Sequence, residues 1–252
     1  MLYVKSYYSL LSSLLSVDDI IDLNIRNGNN YAVICDNTMY GTMEFIKKCK
    51  QKGIKPVIGL ELVIEDKVIL CYAKDYTGYL NLVKLSTKAN TSKVELTDIN
   101  TYKESLIFVI PYSNRELLEL ITTPLVYLGY KDEQEKNKAL EITKRVVFLK
   151  ECLYKEKKDA NYLKYLYLIR DGKSIYDEVS YDLLDKEFIN DRTCLEIVRD
   201  CNVTFPKASL LLPIYDCPNN LEADTYLREL AIKGLTRRLK GNVLKKYSDR
   251  LI

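Results

Sequence analysis

Apolar runs of five to ten residues alternate in this chain with stretches that carry apolar side chains at helical spacing, and that alternation limits the fold more than any other feature. The runs "LYVKS", "YAVICD", "KPVIGLELVI", "DKVILCYAK", "SLIFVIP", "LVYLGY" and "RVVFLKE" read as seven strands. Between them, a helix starts at Ser16 with Asp18 and Asp19 near its positive end and stops near Gly28. A second, "TMYGTMEFIKKCKQKG", has a basic last turn and Gly53 as its stop. "TGYLNLVKLSTKAN", the short "NRELLELI", "DEQEKNKALEITKR" with its i,i+4 charge pairs, and "DANYLKYLYLIRDG" follow. The third and fourth runs meet in a tight turn at Glu65 and Asp66, which suits a hairpin and departs from strict alternation. Seven strands with helices between them fit a parallel α/β barrel or an open doubly wound sheet.

The chain has 252 residues, enough for one large α/β domain or one domain with an extension. Its longest apolar runs are too short for a bilayer, and its start lacks a signal-peptide pattern. A cytoplasmic location and no membrane partner are therefore expected. Seven cysteines are scattered without a C-x-x-C pair, which indicates neither a disulfide framework nor a thiolate zinc site. Cys35 and Cys71 sit inside apolar runs and read as buried small hydrophobes. A net charge of +3 does not by itself argue for nucleic acid. Abundant lysine, isoleucine, asparagine and tyrosine suit an AT-rich coding genome.

The chain contains no histidine. Imidazole bases and imidazole metal ligands are thereby excluded, and with them most serine triads and zinc hydrolase sites. Neither G-x-G-x-x-G nor G-x-x-x-x-G-K-[ST] occurs. In an α/β barrel, reactive groups stand at the C-terminal strand ends. Those positions are Tyr3 and Lys5 on the first run, Cys35, Asp36 and Asn37 on the second, Glu61 on the third, and Lys150, Glu151 and Leu153 after the seventh. Two readings stay open for Asp36 and Glu61. They are ordinary strand-end acids, or they are metal carboxylates suited to magnesium or calcium rather than zinc.

After Gly172 the pattern changes to short helical stretches, "YDLLDKEFI" and "TCLEIVRDC", then to the proline-containing "ASLLLPIYDCPNN". A last helix, "EADTYLRELAIKGLTRRLKG", turns basic at Lys233, Arg237, Arg238 and Lys240, with Lys245 and Lys246 beyond it. These lysines and arginines read as a solvated face or as a phosphate-contacting edge. The expected organisation is a barrel core over 1–175, a helical remainder and linker over 176–218, and the start of a further region over 219–252. The ending "YSDRLI" has no cap or stop and looks like a truncation.

Several stretches together resemble the PHP (polymerase and histidinol phosphatase) domain of bacterial replicative DNA polymerase III alpha subunits. "YVKSYYSLLSS" stands where those domains have a segment like H-V-H-S-x-Y-S-L-L-D-G. "AVICDNTMYGTMEFIKKCKQKGIKPVIGLE" is similar to A-L-T-D-H-G-x-x-x-G-x-x-E-F-Y-K-x-A-x-x-x-G-I-K-P-I-I-G-x-E, and "AKDYTGYLNLVKLST" to A-K-N-x-x-G-Y-x-N-L-x-K-L-S-S. "VVFLKECLYKEKKDANYLKYLYLIRDGK" matches without gaps V-V-A-T-N-D-V-H-Y-L-x-x-x-D-A-x-x-H-x-x-L-x-x-I-R-T-G-K. "YLRELAIKGLTRRL" resembles the link into the polymerase palm. The resemblance implies a distorted seven-stranded α/β barrel of the PHP type with a mainly helical C-terminal extension. It also implies a cluster of metal ions at the strand ends in active members, where some polymerases proofread as 3′–5′ exonucleases.

Carried over residue by residue, the family's ligands fall on Tyr3, Lys5, Ser12, Asp36, Asn37, Glu61, Glu151, Leu153 and Leu163. Only Asp36 and Glu61 are unchanged, with Glu151 a conservative replacement. Three scattered carboxylates do not make a polynuclear site, so the expectation is an inert domain with no cofactor, acting as a structural or docking module in DNA replication. Magnesium would belong to the polymerase domain of the parent protein. The partners implied are the polymerase core of the same chain, other replisome subunits and, through the parent, primer–template DNA. One alternative is a residual exonuclease on Asp36, Glu61 and Glu151 using zinc or manganese. Another is a stand-alone small-molecule phosphatase, against which the polymerase-like tail argues. The ammonium of Lys5 is expected to pair with Asp36 or Glu61 in place of the lost metal charge.

Overall fold

The computed structural model describes residues 1–177, 190–206, 213–240 and 247, and the chain forms two compact units, Met1–Phe205 and Pro206–Ile252. The first unit runs α1 (Val17–Arg26), β1 (Tyr31–Asp36), α2 (Thr42–Gln51), β2 (Lys55–Ile64), β3 (Lys67–Ala73), α3 (Tyr76–Thr91), α4 (Leu96–Thr101), β4 (Leu106–Pro111), β5 (Val126–Tyr130), α5 (Glu133–Ile142), β6 (Val146–Phe148), α6 (Ala160–Arg170) and α7 (Arg192–Asp200). In the second unit, α8 covers Ala223–Arg238.

Local chemistry sets most of these boundaries. Ser16 opens α1 through a capping box: the Asp19 amide donates to the Ser16 hydroxyl, and the Ser16 amide donates to the Asp19 carboxylate. Gly53, with φ of 64°, takes the left-handed conformation that ends α2. Glu65 and Asp66 have φ of 48° and 65°, as a tight hairpin turn requires, so β2 and β3 pair antiparallel with Glu61 opposite Leu70. The six strands lie in sequence order, β1 to β6. All neighbours are parallel except at β3, which runs against both β2 and β4.

Two expectations are corrected, and one further element is found. "LYVKS" does not form a strand; it makes one isolated parallel bridge, Val4 to Cys152, and the sheet has six strands among the described residues. The reason is local. Asp36 draws Ser6 into hydrogen bonds, and a turn begins there, with Ser9 N–H donating to the Ser6 carbonyl at 3.0 Å. The first six residues of "NRELLELI" lie in a 3-10 segment, Tyr112–Glu119, kinked at Asn114, and Leu120 and Ile121 follow it. α4 fills a stretch with no strong apolar period, and Glu95 and Asp98 cap it mutually. The expected helix "YDLLDKEFI", residues 208–212 of "ASLLLPIYDCPNN", Lys245, Lys246 and all of "YSDRLI" except Tyr247 lie outside the described residues.

The sheet separates two cores because alternate strand residues face opposite ways. On one face Ile58, Leu60, Leu62, Phe108, Leu128 and Phe148 pack with Leu82 and Leu85 of α3 and Ala139 of α5. On the other, Val33, Cys35, Val57, Tyr72, Val109 and Val147 pack with Cys194, Ile197 and Val198 of α7. Lys55 secures α7 by donating to the carbonyls of Val198 and Arg199 at 2.7 and 3.2 Å. Tyr72 is fully buried in this second core and its phenol donates to the Leu2 carbonyl at 3.0 Å.

Gly59 makes room for that tyrosine. A Cβ at Gly59 would stand 2.7 Å from the Tyr72 ring and 3.0 Å from Cys35 Sγ. Gly59→Ala is therefore expected to destabilise the domain by about 2 kcal/mol through overpacking. The check is a urea midpoint lowered at constant slope.

Candidate functional site

The residues expected at the strand ends divide into three groups. Tyr3 and Lys5 lie on the bridging segment two residues apart, which directs them to one side. Cys35 N–H donates to the Val4 carbonyl at 2.7 Å, Lys5 N–H to the Cys152 carbonyl at 3.2 Å, and Cys152 N–H to the Tyr3 carbonyl at 2.8 Å. The segment thus touches β1 on one side and the chain just beyond β6 on the other.

Lys5 Nζ stands 2.7 Å from Glu61 Oε2 and 2.7 Å from Glu151 Oε1. The Tyr3 phenol donates to the same Glu61 oxygen, and the lysine nitrogen lies 5.3 Å from the Tyr3 ring centre. The side chains of Lys5, Glu61 and Glu151 are 11%, 9% and 23% exposed, so little water screens them. Burial alone would push the Lys5 ammonium down, but Glu151 and Glu61 outweigh it and hold its pKa well above the ordinary value. Burial, reinforced by Glu151 and Glu61, pushes the Tyr3 phenol far up, so it remains a neutral donor.

Asp36 forms a separate group. It is buried, and it accepts from the Ser6 amide and hydroxyl at 2.6 Å each and from the Ser9 hydroxyl at 2.7 Å. Lys5 makes its ion pair with Glu61, one of the two acids expected, and adds Glu151 rather than Asp36. Burial raises the Asp36 carboxyl, although the Ser6 and Ser9 hydrogen bonds act against it.

The third group is apolar. Leu153 and Leu163 pack together with Tyr154, against Leu14, Leu166 and Tyr167. Two positions that would carry ligands in the resembled family are thus occupied by a greasy contact between α6 and the segment after β6. Ser12 is not drawn in; its hydroxyl donates to the Leu10 carbonyl at 3.3 Å. Asn37 is exposed and reaches Ser9 through its backbone amide. Ser6, Ser9 and Ser13 also belong to this region. Ser13 is buried and bonds the carbonyls of Lys5 and Leu153 at 2.7 and 3.1 Å. Serine carries no period or spacing signal that marks such a role. Lys233, Arg237, Arg238 and Lys240 are exposed in the second unit.

Two clefts flank Glu61 and Glu151. One of about 710 Å³ is lined by Asn37, Glu61, Asp66, Lys93 and Glu95, among others. The other, about 250 Å³, is lined by Tyr3, Asp66, Tyr112, Asn114, Lys131 and Glu151, among others. Among the described residues, no three His, Cys, Asp or Glu side chains come together around a common point for a metal ion. The space between Glu61 and Glu151 is taken by an ammonium. This donor set does not fit the polynuclear metal cluster that the resemblance implies.

The profile of the PHP domain family matches residues 2–157. The DNA polymerase III subunit alpha of Ureaplasma parvum is 29% identical over 263 residues, covering 99% of this chain and 26% of the relative. That of Bacillus subtilis is 27% identical over 302 residues, covering 99% and 27%. The chain thus spans about a quarter of the length of these curated relatives. Among solved structures, a candidate metal-dependent phosphoesterase from Bifidobacterium adolescentis superposes with a TM-score of 0.46 at 13% identity, covering 62% of this chain and 88% of that one. No helix among the described residues is long and apolar enough to cross a membrane.

Two predictions arise from the charges. A lysine whose pKa is raised on folding contributes stability that is complete below its unfolded value, about 10.5, and is lost as pH climbs through the folded value. The stability difference between the parent and Lys5→Met is therefore expected to be constant from pH 7 to about 10 and to shrink above that, as read by urea midpoints. A carboxyl raised on folding has the same sign: its contribution is complete below the unfolded value and falls as pH rises through the folded one. Ionised Asp36 is thus not favoured by burial at neutral pH. Asp36→Asn should stay within about 1 kcal/mol of the parent at pH 7, whereas Asp36→Ala, which strands the Ser6 and Ser9 donors, should cost about 3 kcal/mol.

Proposed function

The chain belongs to the PHP domain family, and from that premise we propose that it is the PHP domain of a replicative DNA polymerase III alpha subunit, one that has exchanged metal chemistry for an architectural role. The observation that carries this reading is the Lys5 ammonium at 2.7 Å from both Glu61 and Glu151. A metal-dependent phosphoesterase needs carboxylates free to bind cations and to position a hydroxide. Here two of the three surviving acids are engaged by a lysine, the third is engaged by Ser6 and Ser9, and Leu153 and Leu163 supply no donors.

In this role the domain braces the polymerase core of the same polypeptide and offers surface to other replisome subunits in the cytoplasm. Magnesium and the incoming nucleotide belong to the polymerase region of the parent, which also binds the primer–template DNA. Lys233, Arg237, Arg238 and Lys240 are the side chains proposed for phosphate contact, since they are exposed cations within or just after one helix.

The test is metal content of the purified protein together with cleavage of a 3′-labelled primer in manganese. The expected outcome is substoichiometric metal and no cleavage. Stoichiometric metal with cleavage lost in Asp36→Ala would establish the residual exonuclease instead.

A further inference from the structure

The N-terminal segment joins the ends of the sheet by few backbone bonds. Val4, Lys5 and Tyr3 contribute one each: Cys35 N–H to the Val4 carbonyl, Lys5 N–H to the Cys152 carbonyl, and Cys152 N–H to the Tyr3 carbonyl. The side chain of Lys5 does more. Glu61 lies on β2, next to one edge strand, and Glu151 follows β6, the opposite edge. The ammonium meets both at 2.7 Å. It therefore spans the gap that the strand order leaves open.

We infer that the Lys5 ammonium is a resident cation that ties the two ends of the curled sheet together, so that this PHP domain completes its fold without a divalent metal. Two carboxylates held this close and this poorly hydrated repel one another, and a cation between them reverses the sign of that interaction. The surroundings suit a permanent charge. Tyr3 donates to Glu61 and places its ring 5.3 Å from Nζ, and Gly59, Cys35 and Tyr72 form a neutral layer on the same sheet face. A lysine supplies one positive charge where a metal would supply two. With two carboxylates around it, one net negative charge remains, and the Tyr3 phenol donates to one of the two.

The inference rests on the reading of the strand ends as metal-free. Its own test is thermal melting of the full 252-residue chain in three forms: parent, Glu61→Gln with Glu151→Gln, and the same pair combined with Lys5→Met. Removing both acids strands a buried ammonium, so the double variant should melt roughly 10 °C below the parent. Removing the lysine as well should recover at least half of that loss. A triple variant that melts no higher than the double overturns the inference, because the ammonium would then have had no dependence on those acids. Dialysis of the parent against EDTA should leave its Tm within about 1 °C, and a larger fall overturns the inference too. Manganese-dependent cleavage with EDTA-insensitive melting would defeat only the functional reading. Absent cleavage with no recovery in the triple variant would defeat only this one.

Discussion

An ammonium stands between two carboxylates from opposite ends of one sheet and holds the first segment of the chain against both. Lys5 reaches Glu61 on β2 and Glu151 beyond β6, and Tyr3 adds a neutral phenol to the same carboxylate. The arrangement depends on the short bridging segment being held in place. Cys35 and Cys152 hold its backbone, and Tyr72 anchors it from below through the Leu2 carbonyl. Tyr72 in turn needs the empty side of Gly59. The packing at Gly59 thus reaches the segment that carries the lysine through Tyr72 and Leu2.

The physics of buried charge explains how the remaining positions are accommodated. A partly buried carboxylate needs a cation or several donors, since its desolvation is otherwise uncompensated. Glu61 and Glu151 have the lysine. Asp36, out of its direct reach, has two serine hydroxyls and an amide. Leu153 and Leu163 solve the same problem by removing polarity altogether, and they bury each other under α6. Ion pair, hydrogen-bonded acid and apolar contact are three ways of accommodating these side chains without an ion among them.

Much of the fold was legible beforehand because its signals are local. The capping box at Ser16, the glycine stop at Gly53 and the Glu65–Asp66 hairpin each depend on neighbours within a few residues. The buried runs of β1, β2 and β4 are apolar enough to be read without context. The first run misled because its length and alternation suit a strand. Whether a strand forms depends on partners along its whole length, and here Ser6 is diverted to Asp36. α4 was missed because a six-residue helix held by acidic caps carries almost no periodic signal.

The same division holds at the site. The sequence by itself determined that no imidazole chemistry is available, that Tyr3 and Lys5 face the same way, and that Glu61 stands on a strand, because composition and the two-residue strand period are properties of the chain alone. Only the tertiary structure decided that Lys5 pairs with Glu151 as well as Glu61, that Asp36 turns to Ser6 and Ser9, and that Leu153 meets Leu163. Glu151 is 146 residues from Lys5 in the chain, and nothing local specifies their meeting. Their contact follows from the curl of six strands, which brings the far edge of the sheet back to the segment on which Lys5 lies.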